Sequence, residues 1–215
     1  MKTVLQASSL LTLASVLIAC GGSSSETAAQ TAHQLASTVV AAVQQPPAAY
    51  ADLIQRLYLG FVGRPADPNG VAFWSQAFSS SDMPTTIGEV IVAYPINARV
   101  RELIDSFAQS EESRDLYEGN TSVFINSVYL QLFNRNAELA GRAFWGGFIE
   151  RNEITRAQAI LWLLDGATNG DAIILSAKLE AAAYLTSELD TPQEIAAYSG
   201  KDAIQGARDL LATIT

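Results

Sequence analysis

The chain has 215 residues, 49% of them hydrophobic and 16% charged, which is enough apolar material for the core of one or two domains. A formal net charge of −9 opposes binding to nucleic-acid phosphates or anionic headgroups, so a nucleic-acid partner is set aside. Cys20 is the only cysteine, which excludes disulfides, cysteine-cluster metal sites and a Cys–His nucleophile elsewhere in the chain.

At the N-terminus, Lys2 precedes an uncharged apolar run, Leu10 to Ala19, too short to span a bilayer, which needs about 20 residues. The run closes on Leu17-Ile18-Ala19-Cys20, followed by glycines and serines, and resembles a bacterial lipobox. The favoured expectation is a lipoprotein signal peptide over residues 1–19 and a palmitate-bearing Cys20. The competing reading is an ordinary cleaved secretory peptide with Cys20 incidental. By resemblance to Gram-negative sorting rules, the lack of Asp after Cys20 favours the outer membrane, with the membrane as a partner through the lipid anchor. The mature chain would carry 12 basic and 22 acidic residues.

Residues 20–49 read as a lipidated tether and a marginal helix, Ala32 to Val43, closed off by Pro46-Pro47. From Tyr50 a helix is expected with Leu53, Ile54, Leu57, Tyr58, Phe61 and Val62 on one face. Adding 71 to each number gives Phe124, Ile125, Val128, Tyr129, Leu132 and Phe133, all apolar again. The loop after the first helix, Arg64-Pro65-Ala66-Asp67-Pro68-Asn69-Gly70, leads into Phe73-Trp74. At the same offset stand Arg135, Ala137, Gly141, Phe144 and Trp145. A repeat of this length predicts one supersecondary unit built twice, over residues 50–120 and 121–190, with helices of residues 191–215 packing on both.

Local signals place the helix ends. Asp67-Pro68 pairs an N-cap acceptor with proline at the first helical position, and Glu138-Leu139 is a weaker counterpart. Gly63 and Asn134 suit the left-handed residue that ends a helix. Thr86-x-x-Glu89, Thr155-x-x-Gln158 and Thr191-x-x-Glu194 have capping-box spacing. Further helices are expected over Ala98–Gln109, Ala172–Leu189 and Ala203–Ile214. No segment alternates convincingly enough for a strand, so the predicted fold is all-α.

Tyr58, Gly63-Arg64-Pro65-Ala66-Asp67-Pro68-Asn69-Gly70 and Phe73-Trp74 together resemble the bacterial domain-of-unknown-function family numbered 4214. Ala66 is an insertion relative to that family's loop. The second copy keeps Tyr129, Arg135, Gly141 and Trp145 but lacks the proline and the aspartate. The resemblance covers about residues 50–215 and is more specific in the first copy. It implies a helical fold, distantly like phycobilisome linker domains, in secreted or surface proteins, and it brings no catalytic residue.

The chemistry candidates are few. Asp67-x-Asn69-Gly70 echoes a calcium loop, but aligning Gly70 on the loop's glycine puts Pro65 first and Gln76 last, where an oxygen ligand and a bidentate Glu are needed. His33, the only histidine, lies in the tether. Glu111-Glu112 reads as solvated surface. No catalytic residue, cofactor or metal is expected. Arg64 and Arg135 have two readings. In one they bind a carboxylate or sulfated ligand, with Asp67 and Asn69 completing a ligand loop. In the favoured one they tie loop carbonyls to a helix end, their stems packed on Trp74 and Trp145. Both tryptophans are expected as core, Trp145 plainly so, at a cost of about 3–5 kcal/mol for Trp145→Ala. The functional expectation is a non-enzymatic envelope lipoprotein with a helical scaffolding domain and an envelope-protein partner. The alternative is a ligand-binding module, for a glycan among other candidates.

Overall fold

A computed structural model describes residues 44–215, so the signal peptide, Cys20, His33 and the tether up to residue 43 lie outside the described residues. Among the described residues there are eleven α-helices and no strand, as the all-α reading expects. A 3-10 turn at Pro47–Tyr50 leads into α1 (Ala51–Leu57), which continues as a π-helical turn, Tyr58–Val62. Then follow α2 (Pro68–Ser80), α3 (Ile87–Ala93), α4 (Ala98–Ala108), α5 (Glu111–Leu116) and α6 (Thr121–Phe133). The chain continues with α7 (Leu139–Glu150), α8 (Arg156–Asp165), α9 (Asn169–Glu188), α10 (Pro192–Tyr198) and α11 (Lys201–Ala212).

The helix ends follow the local chemistry. Asp67 accepts from the Gly70 amide at 2.9 Å and caps α2, whereas Glu138 makes no side-chain cap on α7. All three capping boxes form, at the starts of α3, α8 and α10. Gly63 (φ 73°) and Asn134 (φ 52°) are left-handed and end the two helices that precede the arginine loops.

The six apolar positions from Leu53 to Val62 are buried, and so are their counterparts from Phe124 to Phe133, apart from the half-buried Tyr129. The π turn packs against α6 and α8, α3 packs against α8, and α9 lies along α6 and α1. Phe107 of α4 is the hub of an aromatic cluster. Its ring centroid is 4.3 Å from Trp74, 5.7 Å from Tyr58 and 6.3 Å from Phe78.

Three features differ from the sequence reading. The first helix changes to π winding at Tyr58, whereas α6 stays regular. Helix α5 was not anticipated. Helices α9 and α11 start at Asn169 and Lys201, three and two residues before the expected Ala172 and Ala203.

Candidate functional site

The two arginine loops repeat one inner bonding pattern. Gln55 Oε1 accepts from the Ala66 amide at 3.1 Å, and Asn126 Oδ1 accepts from the Ala137 amide at 3.0 Å. Arg64 Nη1 donates to the Pro65 carbonyl and Arg135 Nη1 to that of Asn136, at 3.1 and 3.3 Å. The glycine after each loop lies under a tyrosine hydroxyl. A Cβ on Gly70 would run into that of Tyr58, and one on Gly141 would sit 3.2 Å from that of Tyr129.

Each guanidinium forms a fork with a distant carboxylate at the start of a later helix. Arg64 Nε and Nη2 donate to Glu112 at 2.8 Å each. Arg135 Nε and Nη2 donate to Asp171 at 2.7 Å each. Glu112 is therefore not merely solvated surface. The arginines also lie against tyrosines rather than on the tryptophans: Arg64 is 5.5 Å from the Tyr58 ring and Arg135 is 5.1 Å from the Tyr129 ring.

What covers the loops differs. The Tyr198 ring lies 5.4 Å from the Arg64 guanidinium, and its hydroxyl donates to the Pro65 carbonyl at 2.8 Å. Arg208 donates to the Val62 carbonyl at 2.9 Å and stands 3.7 Å from Glu112. Thr186 donates to the Ala66 carbonyl at 2.6 Å. The Arg64 side chain is thus 10% exposed against 40% for Arg135. Burial opposes the Arg64 charge, but the Glu112 hydrogen bonds and charge outweigh it, and its pKa moves up. Burial also works on Glu112, yet the hydrogen bonds and charge of Arg64, with Arg208 behind them, hold its carboxyl below the usual range. Within the first loop Asp67 is half-buried as the α2 cap, and Asn69 is exposed. The second loop opens onto a groove of about 560 Å³ lined by Phe133, Arg135, Glu138, Asp171 and Ile173 among others.

The tryptophans also part company. Trp74 is half-buried and stacked on Phe107. Trp145 is not plain core: it is half-buried and lines an open groove of about 220 Å³ with Phe144, Phe148, Ile154 and Trp162. The residue 71 positions after Phe107 is Lys178, so Trp145 has no counterpart to that ring. Spacing alone does not reveal this groove, because it joins side chains of α7 and α8 with Ile154 between them, which only tertiary packing brings together. Among the described residues no cluster of three or more His, Cys, Asp or Glu side chains suited to a metal occurs.

No curated protein and no solved structure matches the chain. One family model does match, over residues 104–170, from late α4 through α8 to the start of α9. The matched stretch holds the Arg135 loop and Trp145, whereas the motif resemblance is more specific in the Arg64 loop, which lies outside it. Residues 104–170 are thus similar to the family described as Domain of unknown function (DUF4214).

Proposed function

We propose that the chain is a non-enzymatic envelope lipoprotein, anchored through Cys20, whose helical domain is an interaction module built from two copies of one unit. The observation that carries the interaction reading is the aromatic groove. Phe148 matches Ala77 at the offset of 71, and from the capping boxes at Thr86 and Thr155, which stand 69 apart, Ile154 matches Thr85 and Trp162 matches Ala93. The same scaffold therefore packs with small residues there, and the larger exposed rings are not required by the core. Contiguous exposed apolar side chains of this kind mark contact surfaces.

A photo-crosslinking residue at position 162 in intact cells is expected to capture a defined envelope component. Capture of nothing reproducible would sink the reading. Cys20→Ala is expected to release the protein from the membrane fraction, and palmitate labelling that survives the change refutes the anchor. The partly exposed Trp145 and Trp162 favour glycan stacking as the second reading. A soluble glycan that quenches tryptophan fluorescence saturably would support it.

A further inference from the structure

The two arginine loops have the same inner bonds and different outer covers. Around Arg64 the cover consists of α10 and α11, which supply a tyrosine ring to the guanidinium, a hydroxyl to the Pro65 carbonyl, and a cation to the Val62 carbonyl and Glu112. Acceptors of the same kinds recur around Arg135: at the offset of 71 the Asn136 carbonyl stands for Pro65 and the Phe133 carbonyl for Val62, while the Asp171 carboxylate matches Glu112 by its fork to the arginine and not by the offset. Helix α11 and the residues just after it reach only as far as Asn134, whose side-chain Nδ2 donates to the Leu211 and Ile214 carbonyls at 3.0 and 2.6 Å. Arg135 is left with one tyrosine, Tyr129, where Arg64 has two. Phe133, Ile173 and Ile174 line the groove beside Arg135, with Ile173 69% exposed, and Leu139, 77% exposed, follows the lining residue Glu138 at the start of α7.

We propose that the Arg135 face is a docking site for a helical segment of a partner protein that lays a tyrosine against Arg135 and brings a cationic side chain to Asp171. The occupant is specified by the one already seated on the matching loop. Arg135 takes the ring by cation–π contact, the Asn136 carbonyl takes the phenol hydrogen bond, and Leu139 and Ile173 are removed from water. The fork between Arg135 and Asp171 is already formed, so docking needs no rearrangement of the site. The inference rests on the interaction-domain reading and names a second surface for it, apart from the aromatic groove.

The test uses the full-length protein and, as probe, a fluorescent peptide of residues 191–215, which carries Tyr198 and Arg208. Saturable binding is expected, weakened about tenfold or more by Arg135→Ala, by Leu139→Glu and by Tyr198→Ala in the peptide. Binding is expected to be unchanged by Ile96→Glu on another exposed face. Leu139 is the exposed first residue of α7, where an acidic side chain suits the helix dipole, so Leu139→Glu leaves the fold intact even if Arg135→Ala does not. The proposal is overturned by the absence of saturable binding at about 1 mM peptide. Binding indifferent to both protein variants overturns it equally, because the peptide then sits elsewhere, displacement of the chain's own α10–α11 included. Crosslinks from position 162 that persist in either case leave the interaction-domain reading standing and remove only this surface.

Discussion

Lys178 is a buried ammonium group, 1% exposed, with no carboxylate in salt-bridge range among the described residues. Its Nζ donates to the Gln131 carbonyl and to Asn134 Oδ1, both at 2.6 Å, so the charge caps the C-terminal end of α6. Burial pulls its pKa down to about 8. Because the folded value lies below the unfolded one, the cost of burying the charge is felt in full below about pH 8 and lifts as pH rises from there. Urea midpoints are therefore expected to rise between about pH 8 and 9.5, and Lys178→Met is expected to abolish the rise. Glu112 works in the opposite sense. Its lowered folded pKa gives stability that is present above the unfolded value and lost as pH falls through the folded one. Glu112→Gln leaves Arg64 buried beside a neutral partner and is expected to cost about 2 kcal/mol. Asp171→Asn, beside the more open Arg135, should cost about 0–1 kcal/mol. Equal losses in chemical denaturation would contradict the difference in burial.

At the scale of the element, the π turn at Tyr58–Val62 sets the close approach of the first helix to α8. A Cβ on Gly60 would meet Leu164 Cδ1 at 2.8 Å and Ile160 Cγ2 at 2.9 Å, and the Gly60 carbonyl accepts from the buried Tyr117 hydroxyl at 2.5 Å. Gly60→Ala is expected to lower stability by about 1–3 kcal/mol through overpacking. An unchanged melting temperature would show that Leu164 gives way freely. The repeat position of Gly60 in α6 is Gln131, where the helix is regular. Features decided within one turn were legible in the sequence: three capping boxes, the Asp67 cap and the left-handed Gly63 and Asn134. The π turn, helix α5 and the choice of Glu112 and Asp171 were not. The two carboxylates stand 48 and 36 residues from their arginines, a distance that no local periodicity specifies. The repeat singles out Arg64 and Arg135 together with Tyr58 and Tyr129, but the seating of Tyr198 on Arg64 is set by tertiary packing.

Across the whole molecule, the apolar stripes of the first helix and of α6 meet in one core, and the all-α class followed from their period. The unequal fates of the two tryptophans did not. Trp74→Ala removes a ring stacked on Phe107 and is expected to cost about 3 kcal/mol, near the low end for such a truncation. Trp145→Ala is now expected to cost about 1–2 kcal/mol, because one side of the ring already faces an open groove. Thermal melts of the two variants check the order.

The covering of the Arg64 loop also bears on time. Tyr198 reaches back 133 residues to Pro65, and Arg208 reaches back 146 to Val62. During synthesis the first loop is thus made early and sealed late, when α10 and α11 have emerged. Until then Arg64 and Glu112 remain open to water, and closing so long a span is slow compared with winding a helix. The Arg64 loop is therefore held short of its native cover until α10 and α11 arrive.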